Sequence, residues 1–130
     1  MNIAYPLIGA ALALMSFSVV ADDCADATTQ GALNQCASRH FAQQDAALNR
    51  IYGQYRKKLN DKQKKQLTGV QQAWIGFRDK ACAFEASGIE GGSAYSMVLA
   101  NCKADKTALR VKQLEALDRC QEGDLGCPAF

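Results

Sequence analysis

Proline, histidine and β-branched residues are all scarce in this chain of 130 residues. The only prolines are Pro6 and Pro128, both near the ends, so nearly the whole chain lacks this helix breaker. Valine, isoleucine and threonine never alternate with polar residues over the length of a strand. Alanine, leucine, glutamine and lysine are abundant, and these residues favour helices. The sequence therefore predicts an all-α domain without a sheet.

The residues that carry metal and nucleophile chemistry are also missing. His40 is the only histidine, and no two cysteines have the Cys-x-x-Cys spacing, so we expect no metal and no cofactor. No serine or threonine has an evident base beside it, as nucleophilic catalysis requires. Glu85 and Glu90 lie near one loop, but nothing apolar surrounds Glu90 in the way that a glycosidase acid requires. We therefore expect a protein that is not an enzyme.

The formal net charge of +2 is too small to indicate a nucleic-acid partner. The charges are uneven, however. Residues 56–65, "RKKLNDKQKK", hold six cations around Asp61 and are called here the Lys-rich turn. The end of the chain is acidic. We interpret both clusters as solvated surface, with contact to an anionic polymer as the alternative for the Lys-rich turn.

The longest apolar run spans residues 3–20. Val19 and Ala21, just before the acidic start of the remaining chain, fit the residue pattern of a signal-peptidase cut. The run is interrupted by proline and glycine and is barely long enough to span a bilayer, which argues against an anchor. We predict a cleaved signal peptide, residues 1–21, and one mature domain, residues 22–130.

An even number of cysteines in an exported chain indicates disulfides and an oxidising compartment, either the periplasm or the medium. The sequence alone does not choose among the possible pairings. Sequential pairing is favoured, and pairing of Cys36 with Cys82 or Cys102 is nearly as good. The six cysteines, all in the predicted mature domain, are Cys24, Cys36, Cys82, Cys102, Cys120 and Cys127.

Three amphipathic stretches predict a disulfide-braced antiparallel three-helix bundle, because the connections between them are short. The first helix runs from Gln30 to Leu59 with Thr29 as its N-cap. Asn60-Asp61 is a turn and cap before the second helix, and Ser93 can cap the third. Between the second and third helices lies "SGIEGGS", whose glycines end the second helix. The predicted core stripes are Ala37, Phe41, Leu48, Tyr52, Tyr55 and Leu59 on the first helix, then Leu67, Val70, Trp74, Phe77, Ala81 and Phe84 on the second, and Ala100, Thr107, Val111 and Leu114 on the third, with Leu117 at its edge.

The segment "QQAWIGFRDKAC", residues 71–82, places Trp74 in the middle of the second stripe, so we interpret it as a core residue. Arg78 lies on the flank of that stripe, whereas Asp79 lies near the opposite side, so the two are not expected to form one site. Counting along each helix places Asp45 about level with Arg110 and within reach of Arg78. We predict a half-buried structural network of polar residues across the helices, formed by Asp45, Asn49, Arg78 and Arg110 around Trp74.

Five segments follow one another in order: "CADATTQGALNQCA", "AALNRIY", "QQAWIGFRDKAC", "GGSAYSMVLANC" and "TALRVKQL". In this order they resemble the LprI-type lysozyme inhibitor family of small exported bacterial proteins. The resemblance runs from about Cys24 to Leu117. One departure is Gly31-Ala32, where the family often has an acidic residue followed by methionine. The resemblance implies that the protein inhibits a lysozyme.

An inhibitor can block a glycosidase cleft by inserting a protruding loop. The candidate loop joins the second and third helices and offers Ser87, Ile89, Glu90, Ser93 and Tyr95 for contact. A purely structural role for its glycines, which would allow a tight turn, is an equal alternative. The net positive charge argues against a complex with a basic lysozyme. The competing class is a cell-envelope binding module that contacts cell-wall polymer or a membrane surface through the Lys-rich turn.

Overall fold

The computed structural model describes residues 24–128, so the predicted signal peptide lies outside the described residues. The described chain forms three α-helices, α1 (Gln30–Arg56), α2 (Asp61–Ala86) and α3 (Tyr95–Asp118), with a short 3-10 turn at Ser87–Ile89 between α2 and α3. No strand is present among these residues, which confirms the all-α prediction. None of the described helices is both long enough and apolar enough to cross a membrane.

Side-chain caps start the first two helices. The Thr29 hydroxyl accepts a hydrogen bond from the Ala32 backbone N–H at 3.2 Å, as the sequence predicts for an N-cap. Asn60 caps α2 through a reciprocal capping box with Gln63. The prediction that Ser93 caps α3 is wrong, because α3 begins only at Tyr95. The Tyr95 N–H is already taken by a turn bond to the Gly92 carbonyl, which delays the start of the helix.

The helices alternate in direction along the chain. α1 and α3 run parallel and form the most extensively packed pair. Near their starts Asn34 Nδ2 donates to the Ser93 carbonyl at 3.0 Å, and near their ends Gln54 Nε2 donates to Asp118 Oδ2 at 2.7 Å. α2 runs antiparallel to both and packs mainly against α3. This is the predicted antiparallel three-helix bundle.

The apolar core lies where α1 and α3 meet the first turns of α2. Most of the predicted α1 stripe is buried, and Ile51 joins it although it was not predicted. On α3 the prediction holds for Thr107 and Leu114, and Ala104 is fully buried beside them. Trp74 is half-buried against this cluster. The buried core cluster consists of Leu48, Ile51, Tyr55, Leu59, Leu67 and Leu114.

The predicted core stripe of α2 is largely wrong. Val70, Phe77 and Phe84 are exposed, and only Leu67 of that stripe is fully buried. The buried face lies about a quarter of a turn further round the helix. Polar groups can be buried there because α1 and α3 supply their hydrogen-bond partners. The buried residues of α2 are Leu67, Gln71, Arg78, Cys82 and Ala86.

The three disulfides each join two cysteines that follow one another in the sequence, which is the pairing favoured from the sequence. Cys24–Cys36 holds the segment that precedes α1, with Cα atoms 5.4 Å apart. Cys82–Cys102 joins α2 to α3 across 5.6 Å, and Cys120–Cys127 closes a small loop after α3 across 5.6 Å. These bridges restrict the unfolded chain, and they fit an oxidising compartment outside the cytosol.

Candidate functional site

The connection between α2 and α3, residues 87–95, is built around two glycines and is called here the α2–α3 loop. Gly91 has a φ of 80°, a left-handed conformation that side chains rarely adopt. A Cβ atom on Gly92 would approach the Ile89 carbonyl oxygen to 3.0 Å, so a larger residue there would force the backbone to shift by a few tenths of an ångström. The loop geometry therefore favours glycine at both positions.

Several interactions hold the α2–α3 loop in place. The Ser87 hydroxyl donates to the Phe84 carbonyl at 2.7 Å, and the Gly92 N–H donates to the Ile89 carbonyl at 2.9 Å. The Asn34 bond to the Ser93 carbonyl ties the far side of the loop to α1. The Cys82–Cys102 bridge joins the two helices just below it. The loop is therefore a braced projection whose conformation is fixed at both ends.

All five predicted contact residues lie in the α2–α3 loop. Ser87, Glu90 and Ser93 are exposed, and Ile89 keeps 41% of its surface in water. Tyr95 is half-buried, since it forms the first turn of α3. The loop thus offers an apolar side chain beside two hydroxyls and a carboxylate.

The charges around the loop are unequally paired. Glu85, at the end of α2, forms an ion pair with Lys106 across 2.9 Å. Glu90 has no ion-pair partner among residues 24–128 and lies in the exposed part of the loop. The exposed end of the loop is therefore locally acidic although the whole chain is slightly basic.

Arg78 occupies the middle of the bundle and is only 5% exposed. Its Nη1 donates to Asp45 Oδ1 at 3.2 Å and to the Thr107 hydroxyl at 3.3 Å, so it links α2 to both other helices. The guanidinium carbon lies 4.9 Å from the Phe41 ring centroid and 5.5 Å from that of Trp74. The charge is thus held between two aromatic faces, a favourable cation–π arrangement.

The expectation that Arg78 and Asp79 do not form one site is wrong. Arg78 Nε donates to Asp79 Oδ1 at 2.9 Å, and Lys103 Nζ lies 3.5 Å from the same oxygen. A long arginine side chain can turn back along its own helix, and α3 places Lys103 on that side. Burial alone would raise the pKa of Asp79, but the hydrogen bond and charge of Arg78, together with Lys103, lower it below its ordinary value.

Two members of the predicted network lie at its margins. Asn49 Nδ2 reaches Asp45 Oδ2 at 3.5 Å on the exposed side. Arg110 makes no hydrogen bond to Asp45. Its Nε donates instead to Gln71 Oε1 at 3.2 Å, and its guanidinium carbon lies 5.8 Å from the Trp74 ring centroid.

Gln71 is a buried partner that the apolar pattern of α2 does not predict. Gln71 lies seven residues before Arg78, so the two share one side of α2, and this spacing is the one sequence signal that places them on the same face. Because the network joins the three helices through the buried Arg78, it fixes the position of the helices relative to one another. Among the described residues, no group of three or more histidine, cysteine or acidic side chains could hold a metal ion.

Comparison with known proteins gives the family. The family described as "Lysozyme inhibitor LprI" matches residues 21–114, which include α1, α2, the α2–α3 loop and most of α3. An uncharacterized protein of Rhizobium meliloti (strain 1021) is 31% identical, with 73% of this chain and 78% of that protein covered. No solved structure matches significantly. All five ordered segments noted in the sequence lie within this matched region, and the chain belongs to the LprI lysozyme inhibitor family.

Proposed function

We propose that the mature protein is an exported, non-enzymatic inhibitor of a lysozyme that acts by inserting the α2–α3 loop into the glycosidase cleft. Membership of the LprI family supports inhibition. The braced loop, with Ile89 exposed at its turn, is the observation that supports this mode of binding. The three disulfides support action in the periplasm or the medium.

The chemistry of the loop suits a glycosidase cleft. Such a cleft holds two carboxylates and accepts a narrow polar chain of sugars. The Ser93 hydroxyl can donate a hydrogen bond to a carboxylate, while Ile89 excludes water from the contact. Because the loop is already fixed by Asn34 and by the Cys82–Cys102 bridge, it loses little conformational entropy when it binds.

The basic character of the chain does not prevent this contact. The Lys-rich turn joins α1 to α2, whereas the loop joins α2 to α3, so the two lie at opposite ends of α2. α2 has 26 residues and is therefore about 39 Å long. That separation is several times the Debye length of about 8 Å at physiological ionic strength. A basic lysozyme at the loop would therefore meet the exposed Glu90 and not the lysines.

The test uses purified, oxidised mature protein and a turbidity assay with lysozymes of several classes. Ile89→Asp buries a charge in the contact and should weaken inhibition by roughly tenfold or more. Leu125→Asp is a matched control, because Leu125 is fully exposed in the Cys120–Cys127 loop beyond the end of α3. Equal inhibition by the parent and Ile89→Asp would show that the α2–α3 loop is not the inserting element.

The role of the brace can be tested separately. The double change Cys82→Ser with Cys102→Ser should weaken inhibition more than it reduces helical circular dichroism, because the loop loses its fixed base. If inhibition and helix content fall together, the disulfide acts only through stability. If no lysozyme class is inhibited by folded parent protein, the inhibitor proposal fails.

The second candidate function is binding to an anionic cell envelope through the Lys-rich turn. One observation favours it: Arg56, Lys57, Lys62 and Lys65 are exposed and have no ion-pair partner among residues 24–128. Lys58 and Lys64 are already paired, with Asp118 and Asp61. Co-sedimentation with anionic phospholipid vesicles should then fall steeply with salt and with Lys62→Ala plus Lys65→Ala. Binding that ignores both changes would exclude this function.

A further inference from the structure

α2 presents an apolar face to water along most of its length. Val70, Phe77 and Phe84 are 54%, 62% and 80% exposed. They recur every seven residues, so they lie on one side of the helix. Ala73 and Ala81 fall between them, and none of the five is charged. These five residues are called here the α2 outer face. A continuous apolar face of this kind marks an interaction surface.

We propose that the α2 outer face joins two copies of this chain in an antiparallel dimer, α2 against α2. The pattern is symmetric about Phe77. Val70 and Phe84 lie seven residues before and after it, and Ala73 and Ala81 lie four residues before and after it. In an antiparallel pair, Phe77 packs against the partner's Phe77, and Val70 packs against the partner's Phe84. Such a surface is self-complementary, as a two-fold interface requires.

Small residues allow the two helices to approach each other. Ala73 of one copy faces the partner's Ala81 in the same arrangement, so no large side chain separates the backbones between the aromatic contacts. Close approach lets each phenylalanine enter the space beside the partner's alanines. The alternation of large and small residues along the face is therefore suited to interdigitation.

Charge favours the antiparallel direction over the parallel one. The Lys-rich turn precedes α2, and the acidic residues Glu85 and Glu90 lie at its other end. Antiparallel pairing keeps the two Lys-rich turns at opposite ends of the pair, whereas parallel pairing would bring them together. Repulsion between these like charges therefore opposes the parallel direction.

The exposed area is sufficient for a weak dimer. A phenylalanine exposes about 200 Å² when fully free, so Phe77 and Phe84 together offer about 280 Å² at 62% and 80% exposure. Val70 adds roughly 80 Å² at 54% exposure. A standard interface uses about 800 Å² on each partner, of which somewhat more than half is apolar, or roughly 450 Å². Three side chains therefore supply most of the apolar area, and we expect a concentration-dependent dimer.

The first experiment measures mass by sedimentation velocity on oxidised mature protein over a broad dilution series. The parent should double its mass as concentration rises, and Phe77→Asp should stay monomeric. Gln72→Asp is the matched control, because it adds the same charge at an exposed position on the other side of α2, and it should dimerise like the parent. A parent that is monomeric throughout, or a Phe77→Asp variant that still dimerises, overturns the proposal.

Cross-linking tests the direction. Mixed Val70→Cys and Phe84→Cys proteins should form a disulfide between copies, whereas Val70→Cys alone should not. Efficient self-linking of Val70→Cys would show a parallel pair and overturn the antiparallel arrangement. Circular dichroism confirms that each variant is folded.

The dimer proposal is independent of lysozyme inhibition, and the two can fail separately. Dimerisation is measured without lysozyme, and inhibition is measured by turbidity below the concentration at which the parent dimerises. If the parent stays monomeric at every concentration and Phe77→Asp loses inhibition in the turbidity assay, the α2 outer face contacts lysozyme and the dimer is excluded. If Phe77→Asp inhibits normally and is monomeric while the parent dimerises, both proposals stand.

Discussion

Replacing Arg78 by alanine should destabilise the bundle more than any change to an exposed ion pair. Arg78 is the one arginine of the described chain that is fully buried, and it bonds to residues of all three helices. Its substitution removes a charge held between two aromatic rings and leaves a cavity where its stem was packed. Both effects act on the folded state.

The magnitude follows from the contacts. Alanine keeps the Cβ atom, so two buried methylenes, Cγ and Cδ, are lost at about 0.8 kcal/mol each, or about 1.6 kcal/mol. The cation–π contacts to Phe41 and Trp74 add about 0.5–1 kcal/mol each. The carboxylates of Asp45 and Asp79 remain partly exposed, at 41% and 43%, so each ion pair contributes only about 0.2–1 kcal/mol. The expected loss for Arg78→Ala is roughly 3–5 kcal/mol.

The assay is urea denaturation of oxidised protein, followed by circular dichroism. Arg78→Lys keeps the charge but loses the planar group that stacks between the rings, so it should fall between the parent and Arg78→Ala. Lys64→Ala removes the exposed pair with Asp61 and serves as the control, with an expected loss of at most about 0.5 kcal/mol. A loss below about 1 kcal/mol for Arg78→Ala would show that the network contributes little.

Three further outcomes are expected. The pKa of Asp79 is lowered in the folded state, so its contribution is complete above the ordinary value of 3.8 and is lost as pH falls below it; Asp79→Asn should flatten that part of the stability–pH curve. Tyr55→Phe should be neutral or stabilising by up to about 1 kcal/mol in urea denaturation, because the buried Tyr55 hydroxyl has no hydrogen-bond partner among the described residues. Protein isolated from the periplasm should begin at Asp22 by mass spectrometry, and alkylation without reductant should find no free thiol.

Local signals in the sequence were sufficient for the helix starts at Thr29 and Asn60 and for the class of the fold. An N-cap depends on a side chain and a backbone N–H only a few residues away, so it can be predicted without knowledge of the neighbours. The α3 start was missed because a turn bond from Tyr95, not a side chain, decides it. Sequential disulfides were also favoured, since each joins cysteines that the helix order brings close.

The face of α2 could not be read from apolar periodicity. The rule assigns large apolar residues to the core and polar residues to the surface. Arg78 and Gln71 are polar residues that violate it by being buried, because α1 and α3 supply partners that the sequence does not reveal. Phe77 is a large apolar residue that violates it by being exposed. The same limitation hid the Arg78–Asp79 pair, since helical geometry fixes where a side chain begins but not where a long one ends.

The polar network offers a physical reason why α2 turns its aromatic residues outward. Apolar contacts are not directional and would tolerate several rotations of α2 about its axis. Hydrogen bonds are directional: the Arg78 bonds to Asp45 and Thr107, and the 2.9 Å bond between the hydroxyls of Tyr52 and Thr68, are satisfied in one rotation only. Any rotation that buried Phe77 would break these bonds, because it would carry Arg78 away from Asp45 and Thr107. The buried charge therefore sets which side of α2 faces the solvent, and with it the surface that is available to a partner.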